Sequence, residues 1–174
     1  MRLLKGFIFA LTGLFIMITL VSLLIPSTVV VTRGVEVHAE HKKVFNELIK
    51  LKNWKHWHPV FHSDSSGLHF STDSISINSY CEWISNGRSN KLVITALTDD
   101  AVTIALQRQG ENEVINTITI LPLADSNSLQ VEWRAVTRLK WYPWEKFYGI
   151  FIEKVTGQGY ESALNGLKVY SEGH

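Results

Sequence analysis

The fold is decided by the stretch Trp141-Tyr142-Pro143-Trp144-Glu145-Lys146-Phe147 and the run that continues from it to Glu172. Pro143 sits where a helix can begin, because its fixed φ suits the first turn and its missing N–H would have no partner there. Phe147, Ile150, Phe151, Tyr160, Leu164 and Leu167 then recur at three- and four-residue spacings. The spacing predicts one long amphipathic helix whose single broad apolar face turns to a partner. Gly157-Gln158-Gly159 interrupts the run, at about 1 kcal/mol per Gly relative to Ala. A helix that accepts such a cost is expected to bend there or to pass close to another backbone.

Upstream, the chain reads as the sheet that supplies that partner. Thr28 to Val37 alternates, with Val29, Val31, Val35 and Val37 on one face. His38 to Leu51 predicts a helix with Val44, Phe45, Leu48 and Leu51 as its apolar stripe. Asn53 to Pro59 is ring-rich and stopped by proline, as a short second helix or turn would be. Ser63 to Ser74 reads as loop with a short strand at Leu68–Phe70. Alternating runs follow, carried by Ile75, Ile77, Cys81 and Trp83, then Leu92, Ile94 and Ala96, then Val102, Ile104 and Leu106. Val114, Ile118 and Ile120 make the next, and Leu129, Val131, Trp133 and Ala135 the last. Asn86-Gly87 is a strong hairpin signal, and Asp99-Asp100, Gly110–Asn112 and Asp125–Asn127 separate the other runs. Consecutive strands with short turns predict an antiparallel meander. The order of elements gives an α+β domain, a sheet of about six to seven strands curved around a long C-terminal helix. Such an arrangement leaves a space between sheet and helix where a ligand fits.

Phe7 to Ile25 is nineteen residues without a charge. About 20 apolar residues span a bilayer as a helix. The run exceeds the usual signal-peptide core of about 7–15 residues, and no clear small-x-small cleavage site follows it. It therefore reads as an uncleaved transmembrane anchor, residues 1–27, with residues 28–174 as the domain it carries. Arg2 and Lys5 favour a cytoplasmic N-terminus, and Arg33, Lys42 and Lys43 beyond the run weaken that bias. The expected place is the cell's inner membrane, with the domain outside the cytoplasm. Removing Arg2, Lys5 and Arg33 from the 17 basic residues leaves 14 against 16 acidic ones, so the chain beyond Gly34 offers no electrostatic footing for nucleic acid. At 174 residues it can bury a stable core without disulfides, and Cys81, the lone cysteine, can form none within the chain. Six Trp and eight Phe suggest a wide interior lined with rings.

Val44-Phe45, Asn53-Trp54 with Trp57-His58-Pro59, Val131-Glu132-Trp133 and Tyr142-Pro143-Trp144-Glu145-Lys146-Phe147 stand in one order and spacing. They end in Gly157, Tyr160-Glu161-Ser162-Ala163-Leu164, Leu167-Lys168 and Glu172. In this the chain resembles the START-like, helix-grip superfamily, and within it the bacterial polyketide cyclase/dehydrase-like (SRPBCC) branch, over residues 28–172. An anchor before the first strand also resembles that branch. The strand at Ser79–Ser85 departs from it, lacking glycines before its Trp. The resemblance implies an apolar cavity and little about chemistry, since one fold hosts many functions.

The expected function is a membrane-anchored, non-catalytic binding module for a lipid-like or other hydrophobic small molecule. The positions expected to line the ligand are Cys81, Trp83, Leu106, Arg108, Asn116, Ile118, Trp133, Phe147, Phe151 and Leu164. Arg108 shares a strand face with Ile104 and Leu106; inward it would hold an anionic head group, though its place at the strand end favours water. Asn116 and Ser79 fall on apolar faces and would orient a ligand or bond the backbone. Glu82 and Glu132 alternate outward beside Trp residues and make no acid/base pair. His56, His58 and His62, with His69 nearby, have no neighbouring carboxylate or thiol; they read as surface and rim histidines rather than metal ligands. No nucleotide loop, GxSxG or HExxH occurs, and no cofactor is expected. Two alternatives stand: a cyclase or dehydratase, which needs two or more titratable groups facing one cavity, and an envelope interaction protein without a ligand.

Overall fold

The computed structural model describes residues 2–63, 67–71, 76–124 and 128–173. Helix α1 (Arg2–Ser22) leads through a short turn into strand β1 (Thr28–Val37). Three helices follow, α2 (His41–Ile49), α3 (Trp54–Trp57) and α4 (Pro59–Ser63), with a 3-10 turn at Leu51–Asn53. Six strands come next: β2 (His69–Phe70), β3 (Tyr80–Ser85), β4 (Arg88–Leu97), β5 (Ala101–Arg108), β6 (Val114–Pro122) and β7 (Leu129–Arg138). Helix α5 (Pro143–Glu172) closes the chain.

The seven strands form one antiparallel sheet in the order β1-β7-β6-β5-β4-β3-β2. Strands β2 to β7 meander, and β1 closes beside β7, with Val31 opposite Ala135 and Val35 opposite Val131. The β3–β4 hairpin turns on Asn86 and Gly87, both at positive φ (51° and 72°), the backbone that an Asn-Gly pair supplies at least cost. One sheet face is apolar. Ile94, Ile104, Ile118, Ile120 and Val131 are fully buried on it, beneath α2, α3 and the second half of α5. This is the START-like helix-grip fold, a curved sheet around a long C-terminal helix.

The alternation sets most of the sheet, with local departures. A bulge between Ile94 and Ala96 turns Ala96 to the surface, off the face that its spacing from Leu92 and Ile94 assigns it. Ile77 lies in a turn before β3 and is exposed rather than sharing the inward face of Cys81, and Ile75 lies outside the described residues. The α2 helix starts and stops inside the expected 38–51 span, because Lys50 is extended and the chain tightens into the 3-10 turn.

Helix α5 begins at Pro143 and runs unbroken through Gly157 and Gly159. The close backbone approach occurs elsewhere: a Cβ built on Gly166 would lie 2.1 Å from the Trp57 carbonyl oxygen. At Gly157 the nearest group is the Arg33 guanidinium, and Gly159 faces open space. The expected apolar face holds only in the second half, where Leu164 and Leu167 are buried; Phe147, Ile150 and Phe151 are exposed. In their place Lys146, Gly149 and Ile152 turn inward.

Helix α1 projects from the domain with almost every side chain exposed. Its Leu3–Ser22 portion is long and apolar enough to cross a membrane, a property signal sequences share.

Candidate ligand cavity

A cluster of rings holds the inner end of the space between sheet and helix. Trp54 is buried, and its indole N–H donates to the Leu48 carbonyl at 2.9 Å. Around it stand Trp57, His58, Phe61 and Trp133, with ring centroids 4.9–5.9 Å away. His58 stacks on Trp54 with planes 13° apart, and Phe61 meets Trp83 edge-on at 5.1 Å. Trp54 and Trp57 are thus core residues, packed inward because α3 lies under α5.

Beside this cluster lies a cavity of about 240 Å³. Its sheet wall is Val31, Trp83, Leu92, Leu106, Val114, Trp133 and Ala135; its helix wall is Ile152, Val155, Thr156, Gly159 and Tyr160. Trp54, His58, Val60 and Phe61 form one end, and Arg108, Asn116 and Thr137 supply further polar groups. Val60, Val155 and Gly159 are exposed and mark an opening between α4 and α5. The volume sits just below the range of about 300–1,000 Å³ usual for small-molecule sites.

Five of the ten positions expected around a ligand lie in this wall: Trp83, Leu106, Arg108, Asn116 and Trp133. Cys81, Ile118 and Leu164 face the same interior but are sealed in the core, away from the cavity. Phe147 and Phe151 are corrected outright. They stand on the outer face of α5, 37% and 57% exposed, because the helix is rotated to bury Lys146 and Gly149. His58 is also corrected: it is a wall residue among four rings, whereas His56, His62 and His69 are exposed. Val31, Ile152, Thr156 and Tyr160 are wall residues outside the ten expected positions. Tyr160 had the signal, since it lies on the helix stripe with Leu164 and Leu167.

The polar groups of the wall are distinct in chemistry. Burial pushes the His58 imidazole down to about 4, so it is neutral at pH 7. Its Nδ1 accepts a hydrogen bond from the Val60 N–H at 3.3 Å, which leaves the proton on Nε2. Burial raises Tyr160, against a smaller opposing pull from the Arg108 charge, so the phenol stays protonated. Asn116 accepts from the Trp133 indole N–H at 3.0 Å and donates to the Val114 carbonyl at 3.2 Å; it fixes the Trp133 ring. Arg108 is half-exposed at the cavity's far end and pairs with Glu111 at 3.4 Å. Beyond it a second, more open depression of about 300 Å³ is lined by Glu111, Asn112, Glu145 and Tyr148. Partial burial would raise the Glu145 carboxyl, but hydrogen bonds from Asn112 and the Lys140 N–H hold it below its usual range. The Cys81 thiol is pushed up to about 12 by burial and the nearby Glu82 charge, which leaves it unreactive. Glu82 itself points outward and pairs with Lys91 at 2.7 Å.

Solved structures with this arrangement exist. Truncated norcoclaurine synthase from Thalictrum flavum superposes with a TM-score of 0.65 at 12% identity, over 84% of this chain and 95% of that one. A START superfamily protein from Mycobacterium smegmatis gives 0.61 at 15% identity, over 83% and 98%. DynU16, from the dynemicin biosynthetic locus, gives 0.57 at 13% identity, over 81% of this chain and 46% of that one. The shared property is the fold. At these identities the chemistry of those proteins does not transfer. No protein-family model and no curated sequence matches the chain.

Proposed function

We propose that this protein is a membrane-anchored binding module, held by residues 1–27, whose domain from residue 28 onward takes an apolar small molecule into the cavity between sheet and α5. The observation that carries the reading is the wall itself. Trp83, Leu92, Leu106, Trp133, Ala135 and Ile152 offer apolar surface, and a few polar groups stand at the ends. The volume favours a ring system or one acyl chain over a whole two-chain lipid. Arg108, at the open end, suits an anionic head group on such a ligand. Phe7 to Ile25 crosses the inner membrane in this reading, with the N-terminus in the cytoplasm and the domain outside it.

Native mass spectrometry of the full chain released from mild detergent tests this. Wild-type protein should carry a non-covalent adduct of one apolar molecule. Thr156→Trp, which projects a ring into the cavity from the helix wall, should lose it. A wild type without an adduct, or an adduct kept by the plugged variant, would count against the cavity as the site.

A second reading, a cyclase or dehydratase on a polyketide-like substrate, draws on a specific observation. His58, Tyr160 and Arg108 are three titratable side chains in one cavity wall. The His58 Nε2–H and the protonated Tyr160 phenol would both donate hydrogen bonds to a carbonyl of such a substrate at pH 7. His58→Asn would separate the readings: a binding module keeps its adduct unchanged, whereas an enzyme binds and no longer converts.

A further inference from the structure

The first half of α5 presents to its surroundings what a core helix would hide. Trp144, Tyr148, Phe151 and Val155 follow one another at steps of four, three and four residues, which places them on one stripe. They are 56–64% exposed, and Trp141 and Ile150 beside them are 61% and 58% exposed. Tyr142 stacks on Trp144 with planes 8° apart, so the rings form a continuous surface. The stripe itself carries no charge, and Val155 belongs both to it and to the cavity opening.

The position of this surface identifies what covers it. Buried Lys146, in the first turns of α5, donates from Nζ to the Ile25 carbonyl at 2.9 Å and to the Ser27 hydroxyl. The Leu139 N–H donates to the Ser27 carbonyl at 2.7 Å. These bonds clamp the start of α5 to the chain as it leaves α1, where Leu23 and Leu24 are also exposed. From Pro143 to Val155 the helix rises only about 18 Å, so the whole patch stays close to that exit point. Tryptophan and tyrosine are the side chains that favour the boundary between headgroups and acyl chains, because each has an apolar body and one polar atom.

We infer that this aromatic face of α5 seats in the headgroup region of the same bilayer that α1 crosses, and so holds the cavity opening beside Val155 near the lipid surface. The inference rests on the anchor reading of α1, and the test separates the two. Full-length protein is reconstituted into phosphatidylcholine vesicles containing a lipid with a nitroxide near its headgroup. The anchor has no Trp, Trp54, Trp57 and Trp133 are buried, and Trp83 stands half-buried in the cavity wall, so the part of the headgroup quenching that differs between wild type and a variant without Trp141 and Trp144 reports on those two rings. Wild-type emission should be partly quenched at every protein-to-lipid ratio. The double variant Trp141→Ser and Trp144→Ser should lose that quenching while resisting an alkaline wash as wild type does. Retained protein without quenching, or equal quenching in the double variant, overturns the inference and leaves the anchor standing. Protection that appears only at high protein-to-lipid ratio overturns it in favour of a second copy on the patch. Release of the wild type by the wash overturns the anchor reading and this inference with it.

Discussion

The two halves of α5 are built by different rules. From Tyr160 to Glu172 the helix buries Ala163, Leu164 and Leu167 and exposes Glu161, Ser162 and Asn165. From Pro143 to Val155 it buries Pro143, Lys146, Gly149 and Ile152 and exposes Trp144, Tyr148, Phe151 and Val155. The second half obeys the water rule, with its apolar face against α3 and the sheet. The first half buries Ile152 but leaves its rings outside and turns Lys146 inward, where backbone and hydroxyl oxygens just after α1 satisfy it. One helix therefore reports two solvents, a protein core along one half and, in our reading, a lipid surface along the other. The cavity lies where the two regimes meet, at Ile152, Thr156, Gly159 and Tyr160.

The sharpest way to break this contrast is a pair of truncations on the two halves. Leu167→Ala should cost about 2–5 kcal/mol in denaturant unfolding of the full chain in detergent micelles. Trp133→Ala, in the ring cluster facing that half, should cost about 3–5 kcal/mol. Phe151→Ala should change stability by no more than about 0.5 kcal/mol, as exposed positions do. A large loss at Phe151 would mean that the first half packs on protein after all.

The ring cluster carries a pH signature of the core-facing half. His58 titrates near 6.5 when unfolded and at about 4 when folded. As pH falls below 6.5 the unfolded chain takes up the proton first. Stability from this group is therefore whole above about 6.5 and is lost between there and about 4. The loss should reach about 3 kcal/mol at most. His58→Phe should flatten that part of the pH profile, and an unchanged profile would place the acid sensitivity in another group.

Lys146→Met tests the first half. The substitution keeps the aliphatic length and leaves the Ile25 carbonyl without its donor, at a cost of about 1–3 kcal/mol. Amide exchange should rise around residues 23–30 and at the start of α5, with Leu164 and Leu167 still protected. Uniform loosening of both halves would show that the clamp is not local.

The smallest effect belongs to the glycines between the halves. Gly159→Ala meets open space and should stabilise the helix by up to about 1 kcal/mol. Gly157→Ala sets a methyl against the flexible end of Arg33 and should be close to neutral, since that side chain can move. Thermal unfolding of both variants checks this; destabilisation at Gly159 would mean that the helix is not continuous there.

Much of this architecture was legible in the sequence. Strict alternation in β5 to β7 gave the strands and their inward faces, Asn86-Gly87 gave a hairpin, and Pro143 gave the start of α5. The side of the interior on which a residue stands was also legible. Whether it then met the cavity or the sealed core was not: Cys81, Ile118 and Leu164 share their face with Trp83, Asn116 and Tyr160. That choice depends on how the sheet curves under the helix. The first half of α5 misled for a physical reason. Aromatic residues at helical spacing look the same whether they pack on a core or stand exposed, and the bonds that turn Lys146 inward come from residues more than a hundred positions away. His58 lies in a ring-rich stretch, but its place in the wall depends on α3 and α4 folding Trp54, Trp57 and Phe61 around it and on Trp133 arriving from β7.

In the proposed function, the space between sheet and α5 holds an apolar molecule. A solvatochromic fatty-acid probe titrated into reconstituted full-length protein tests it most directly. The expected result is a saturable, one-to-one rise in probe emission, with energy transfer from the Trp residues of the wall, abolished by Thr156→Trp and preserved in Phe151→Ala. A rise that never saturates, or one that Thr156→Trp leaves intact, would contradict it.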